Sequence, residues 1–575
     1  MIAQVDKVNY ELAPNDIRKS VYGGLTEPNK PSKKLYIDDS LDIIEKSLRS
    51  DAISALKNPQ TITARALVEI ADLHFRAESY GRAIDAYVKS LKINGENITV
   101  YEKLISSLLK QNKVEEADKY FQILLNIVDN QPNYVHDYLA FRIKVANEYP
   151  EMNRETNQII EKYSRINDDR VQNIRGLYML LRDNLLNAKK TFQAGLEINS
   201  ENIDLNNNLG VYYKTINKLD KAVIYLKKAH SLNPKYAVAY ENLASIYYLK
   251  GSIKDAISIL EKAQKNKAPL SNIWNHNLAS LYHENGDYEL AISAYKSLIA
   301  NEPTNSIILN NIGVSYFKLD NITESIKFFN DSIELTKENV ANNLPMDGRF
   351  ATAFNNLTGY YLDHNNNKMA LSLINFVQKH FPLNNIAYNQ EGLVKLSQNK
   401  FMEAKKLFKK SLNMNPNYLE SLANYTFILE DIEFDFEAAI KAVEGFEPSV
   451  TNQEVNDVLN NNLVFAYLKS GKIDLAKKNL DKIGDLYASS ATRGLYYLLV
   501  DDLDKSEKNY RDAFKKTSGF RLKMAKQFYN YEFMEYWIRK GDVPLAISFA
   551  LEGVKYNANT RIHEQMKRFI LSVQA

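Results

Sequence analysis

Alanine returns along this chain at a fixed interval. It stands at Ala83 and Ala117, at Ala188, Ala222, Ala256 and Ala291, and at Ala370, Ala404 and Ala438, with neighbours in each group 34 or 35 residues apart. The 71 residues between Ala117 and Ala188 leave room for one divergent copy. Twelve positions before many of these alanines stands a small residue, as at Ala71, Gly176, Gly210, Ala244, Ala279 and Gly392; Gly313 has the same relation to Ser325. Three positions after the small residue comes an aromatic, as at Tyr213, Tyr247, Tyr282, Tyr316 and Tyr361. Prolines 234, 303, 382 and 416 close several units. A unit of this length cannot bury its apolar face alone, so it folds only by stacking on its neighbours.

Within each unit the apolar residues recur at three- and four-residue intervals, which predicts two amphipathic helices. Polar stretches such as "INKLD", "LKGSIKD" and "ENGDYE" separate them. Small residues let the paired helices approach, and the closing proline stops the second helix because it lacks an amide and clashes with the preceding turn. The chain is therefore expected to be all-α, an array of helical hairpins.

The units resemble the tetratricopeptide repeat family, whose pattern runs aromatic, Leu-Gly, Tyr, then Ala, aromatic and Pro. The copy from Ile203 matches best, with Leu209, Gly210, Tyr213, Ala222, Leu226, Ala229 and Pro234. Other copies begin near Ala64, Ile98, Asp169, Ala237, Asn272, Ser306, Ala351, Asn385, Leu419, Asp457, Tyr487 and Gln527. The resemblance implies an α-solenoid, a right-handed superhelix of about fourteen units over residues 64–560, with the first helix of each hairpin lining the concave side. Residues 132–168 read as a degenerate repeat, 337–350 and 446–456 as polar insertions, and 561–575 as a capping helix. Ahead of the array, residues 1–37 read as a flexible arm carrying "TEPNKPSKK", and 38–63 as a leading amphipathic helix. The arm is expected to compete for the groove in cis.

One feature is not explained by hairpin packing. With the small residue counted as the eighth of each unit, the sixth reads Asn208, Asn242, Asn277, Asn311, Asn356, Gln390, Asn424 and Asn462 in eight successive copies. Each helical residue turns roughly 100°, which sets the sixth nearly opposite the eighth, on a stripe with the second, ninth and thirteenth. Asparagine is a mediocre helix former, so propensity does not select it. An amide offers both a donor and an acceptor, which matches the peptide group of an extended chain. The row resembles the asparagine ladder within the repeat superhelix of O-linked N-acetylglucosamine transferase, without that enzyme's catalytic domain. Two readings stay open: a peptide-binding amide ladder, with Tyr248, His283 and Phe317 as groove neighbours, or amides that bridge neighbouring helices.

Composition narrows the function. Lys and Arg total 73 against 70 Asp and Glu, a net charge of +3, which is no footprint for nucleic acid. There are no cysteines, so thiolate metal sites and a thiol nucleophile are excluded. His276 and His283 lie seven residues apart, roughly 10 Å along a helix, too far to share a metal ion. The pairs Glu115–Glu116 and Asp501–Asp502 sit at turns and suit helix starts, and no P-loop, dinucleotide fingerprint or GxSxG occurs. No catalytic residue, metal or cofactor is expected. The residues read as a non-enzymatic scaffold or adaptor that binds protein or peptide segments, in assembly or regulation of a larger complex. The alternatives are a substrate-targeting subunit for a separate enzyme and an envelope or pilus-assembly factor. The first twenty residues lack a basic-then-apolar pattern, so the expected location is cytoplasmic, or periplasmic if the chain is a trimmed form.

Overall fold

In the hairpin at Ile203–Thr215 and Leu219–Leu232, the Asn202 side chain accepts from the Leu205 amide at 2.9 Å and starts the first helix. The helix ends where Asn217 turns left-handed (φ 55°), so that the Lys218 amide donates to the Tyr213 carbonyl at 2.8 Å. The residue two before a second helix has the same handedness elsewhere, at Glu78, Asn112, Asp183, Gly251, Gly286, Asp320, Asn365, Asn399, Phe434, Gly471, Asp501 and Gly541. All but Glu78 and Phe434 are Asn, Asp or Gly, the types that accept this conformation at least cost.

The computed structural model describes residues 59–444, 453–556 and 558–574. The arm at 1–37, most of the expected leading helix, and most of the 446–456 insertion lie outside the described residues. Among the described residues there is no strand. The chain divides into two compact units. The first contains α1 (Pro59–Arg76), α2 (Tyr80–Ile93), α3 (Ile98–Lys110), α4 (Val114–Ile127), α5 (Pro132–Glu148), α6 (Asn153–Lys162), α7 (Asp169–Leu181), α8 (Leu185–Ile198), α9 (Ile203–Thr215), α10 (Leu219–Leu232), α11 (Ala237–Leu249), α12 (Ile253–Lys265) and α13 (Asn272–Asn285). The second contains α14 (Tyr288–Ile299), α15 (Ser306–Lys318), α16 (Ile322–Ala341), α17 (Thr352–Asp363), α18 (Asn367–His380), α19 (Asn385–Ser397), α20 (Phe401–Met414), α21 (Leu419–Phe427), α22 (Phe436–Val443), α23 (Gln453–Lys469), α24 (Ile473–Asn479), α25 (Tyr487–Leu499), α26 (Leu503–Lys515), α27 (Gly519–Lys540), α28 (Val543–Gly553) and α29 (Thr560–Gln574). Each unit is an α-solenoid in which successive helices pack on one another.

The eighth-position glycines are close-approach sites. A Cβ on Gly210 would lie 2.6 Å from Leu226 Cγ and 3.3 Å from the Ala222 carbonyl oxygen. Phe192, Phe329, Phe408 and Tyr510 fill the same place against Gly176, Gly313, Gly392 and Gly494. Gly210→Leu is expected to overpack the hairpin and lower stability by about 1–3 kcal/mol, read as a reduced urea midpoint with an unchanged slope.

Irregular regions have identifiable causes. In the degenerate repeat, Arg142 is 0% exposed, and its guanidinium contacts Asp118 at 3.0 Å, Glu155 at 2.9 Å and Thr156 at 3.3 Å. The stretch 337–350, read as a polar insertion, is helical as far as Ala341 because α16 continues for 20 residues. Thr336 Oγ1 lies 2.8 Å from Ser306 Oγ and the Asn339 amide donates to the Thr304 carbonyl at 3.2 Å, which holds the added turns against α15. After α21 the chain makes a π-helical turn, Ile428–Glu433, that ends at Phe434 in a left-handed conformation (φ 59°). The first turn of α29 reaches back to it: Arg561 donates to the carbonyls of Ile432 and Glu433 at 3.2 and 3.1 Å and lies 4.2 Å from the centre of the Phe434 ring.

Candidate functional site

In the first unit Asn208, Asn242 and Asn277 occupy α9, α11 and α13. The amide groups of Asn208 and Asn242 donate to the side-chain oxygens of Asn173 and Asn207, both at 2.9 Å. Asn207 in turn donates to Asn208 Oδ1 at 3.1 Å, so four amides on three helices form one relay. In the second unit Asn356 donates to Asn310 at 2.9 Å, Gln390 to the Asn355 carbonyl at 2.7 Å, Asn424 to Asn389 at 3.1 Å, and Asn462 to Thr426 Oγ1 at 3.1 Å. Asn311 accepts from Asn310 at 3.0 Å and donates to the Tyr295 hydroxyl at 3.3 Å.

This corrects one part of the expectation. The sixth-position amides were expected to face away from the hairpin core with donor and acceptor both available. All eight are buried, and the amide nitrogen of each except Asn277 donates to the preceding repeat. The cause is the spacing of adjacent first helices, which brings a sixth residue beside the fifth residue of the repeat before it. Those fifth-position partners, Asn173, Asn207, Asn310 and Asn389, were missed. Their signal was legible as doublets: "NN" at 207–208, 310–311, 355–356 and 461–462, and "NQ" at 389–390.

The acceptor side of the row differs from the donor side. Gln390 Oε1, Asn424 Oδ1 and Asn462 Oδ1 are buried without a hydrogen-bond partner, and both side-chain atoms of Asn277 and Asn461 are in the same state. Buried polar groups are almost always paired, because each unpaired one costs about 1–3 kcal/mol.

The expected neighbours hold the twelfth place of their units. Tyr248 and Phe317 are half-buried and His283 is buried. Burial pushes the carboxyl of Glu284, the next residue, above its ordinary value, and a hydrogen bond from Tyr248 opposes the rise. His276 is also buried, and no cluster of three or more metal-ligand side chains occurs among the described residues. Glu115 and Glu116 sit in the first turn of α4, and Asp502 caps α26 by accepting from the Lys505 amide at 3.1 Å. No helix among the described residues is long and apolar enough to cross a membrane.

A further pair of carboxyls was missed altogether. In the unit from Leu419, the twelfth and thirteenth places are Glu430 and Asp431, 1% and 3% exposed. None of their four carboxyl oxygens has a hydrogen-bond partner. Burial raises Asp431 to about 7, and burial together with the charge of Asp431 raises Glu430 well above its ordinary value. Tyr487 is pushed up to about 12 by burial and by Asp431.

Models of the tetratricopeptide repeat match residues 203–236, 237–268, 276–339 and 386–418. Among curated relatives, anaphase-promoting complex subunit CDC16 of Saccharomyces cerevisiae is 21% identical over 274 residues, 47% of this chain and 31% of that protein. Tetratricopeptide repeat protein 21A of Mus musculus is 33% identical over 89 residues, 15% of this chain and 7% of that protein. The chain thus spans less than a third of the length of either relative. Among solved structures, the APC/C hetero-tetramer Cut9–Hcn1 is 13% identical, with 83% of this chain and 99% of that one covered at a TM-score of 0.37. YrrB, described as a TPR protein with an unusual peptide-binding site, is 17% identical, with 40% and 95% covered at a TM-score of 0.24.

Proposed function

We propose that this chain, whose residues 203–236, 237–268, 276–339 and 386–418 match models of the tetratricopeptide repeat, is a non-enzymatic scaffold that holds extended protein segments along the amide rows, in assembly or regulation of a larger complex. The observation that carries this reading is the division of labour within the amides. Their N–H groups fix them against the preceding repeat, while the oxygens of Gln390, Asn424 and Asn462, and both polar atoms of Asn277, have no partner. An extended segment presents backbone N–H groups, the donors such oxygens lack. Acceptors of this kind hold a backbone while reading little of its side chains. A role in a complex also agrees with CDC16 being, by its description, a complex subunit.

The test uses a client segment cross-linked to the intact chain and then synthesised. Replacing successive client amides by esters removes backbone N–H groups, and each productive replacement is expected to weaken binding by about 0.5–1.5 kcal/mol. Alanine at the same client positions should matter less. Strong alanine effects with no ester effect would contradict the reading.

The acceptor oxygens are buried, so a segment reaches them only by displacing what covers them. The N-terminal arm is the proposed competitor. Deleting residues 1–35 is expected to raise client affinity, measured by fluorescence anisotropy; unchanged or lower affinity would remove the arm from the account.

A further inference from the structure

We propose that the cleft between α10 and α12, the second helices of two successive hairpins, binds a phosphorylated serine or threonine of a protein partner. The site shares no residue with the amide row, which lies on first helices. A cavity of about 720 Å³ opens there, lined by Lys227, Lys228 and His230 of α10, Asp255 and Lys262 of α12, and Tyr247 of α11. On α12 the lining positions 255, 258 and 262 recur at intervals of three and four, which places them on one face of the helix.

Charge is the first support. Lys250, just before α12, pairs with Asp220 at 2.8 Å. Lys227, Lys228 and Lys262 form no ion pair among the described residues. The carboxyl lining the cleft, Asp255, stands in the first turn of α12, where the helix end favours a negative charge. Three ammonium groups against this carboxylate leave the cleft at +2, while the whole chain carries only +3.

The second support is the state of the imidazole that lines the same cavity. His230 is half-buried against the Tyr240 ring, with centroids 5.0 Å apart. Burial, then the charges of Lys262 and Lys227, push it below its ordinary value, against a backbone hydrogen bond that raises it. Lysines from both helices therefore act on one point of the cleft.

The chemistry selects a phosphate monoester. Near pH 7 it carries a charge of about −1.5 to −2 and three acceptor oxygens. The cleft offers ammonium donors from two helices and the hydroxyls of Ser231, Ser258 and Tyr247. A carboxylate would bring one charge and two oxygens. The space is far larger than one phosphoryl group, so residues flanking a phosphorylated side chain enter with it, which favours a segment over free phosphate.

The test titrates the full-length chain with a five-residue peptide carrying one phosphoserine. Its serine and glutamate counterparts, inorganic phosphate, a uridine oligonucleotide and vesicles of equal phosphatidylserine and phosphatidylcholine are the comparisons. Affinity is read by competition in fluorescence anisotropy, and His230 by NMR of its ring. The phosphopeptide is expected to bind about tenfold or more tightly than every comparison. It should also raise the His230 titration midpoint, because a neighbouring anion favours the imidazolium. Lys228→Gln with Lys262→Gln should remove the preference at an unchanged unfolding midpoint, since both side chains are exposed. Lys406→Gln with Lys409→Gln, exposed on α20, should leave it intact. Any comparison bound as tightly as the phosphopeptide, or equal losses in the two double variants, would overturn the proposal. None of these outcomes depends on the amide row, so they are separable from the ester experiment.

Discussion

Asp431→Asn is expected to raise the unfolding free energy by a few kcal/mol at pH 8 and to leave it nearly unchanged at pH 4. Burial without a partner lifts the Asp431 carboxyl to about 7, whereas in the unfolded chain it titrates near its ordinary value of about 4. Between these values the folded state holds a proton that the unfolded state has released. Stability therefore falls as the pH rises through that window, at about 1.4 kcal/mol per pH unit. Below the window both states are neutral, and the asparagine is a like-for-like replacement. Above it the wild type carries a buried, unpaired charge that the variant lacks. The measurement is the difference between variant and wild-type denaturation midpoints across pH 4–8, which cancels groups unaffected by the substitution. Asp347 and Asp501 are such groups: Arg349 and Lys540 beside them hold their carboxyls below the ordinary value, so their stabilisation has the opposite sign and is lost on acidification. A variant that gains nothing at pH 8 would mean that the Asp431 carboxyl is paired in solution.

Much of the architecture was legible in the spacing of single residues. Helices begin at Ile98, Asp169, Ile203, Ala237, Asn272, Ser306, Asn385, Leu419 and Tyr487, where the period places them. Starts deviate where tertiary contacts or capping extend a helix. The expected start near Gln527 lies inside α27, which begins at Gly519, and the start near Asp457 lies inside α23, which begins at Gln453. The candidate row was legible as residue types but not as an environment. Helical phase placed Asn242 opposite Ala244, yet phase cannot say that Asn207, 35 residues earlier, lies 2.9 Å away to take its N–H. Such a contact depends on the distance between successive first helices, which a period does not encode. Glu430 and Asp431 escaped notice for a different reason. An acidic pair in "FILEDIEFD" reads as a solvated turn, and only the π-helical turn and the return of α29 enclose it.

The account turns on whether the unpartnered amide acceptors hold a client backbone. The decisive measurement is client affinity in a chain carrying Asn277→Ala, Gln390→Ala, Asn424→Ala and Asn462→Ala, read beside its unfolding midpoint. Four lost acceptor bonds of about 0.5–1.5 kcal/mol each amount to several kcal/mol, or a few decades of affinity. Stability should respond unevenly. Asn277 makes no hydrogen bond of its own, and alanine is the better helix former, so Asn277→Ala alone should keep or raise the midpoint while weakening the client. Gln390, Asn424 and Asn462 each lose one N–H bond to the preceding repeat, so those replacements should lower the midpoint modestly. The account predicts affinity reduced by two or more decades in a chain that circular dichroism shows to be folded. Undiminished affinity in that folded chain would contradict it, and would leave the asparagines as bridges between repeats.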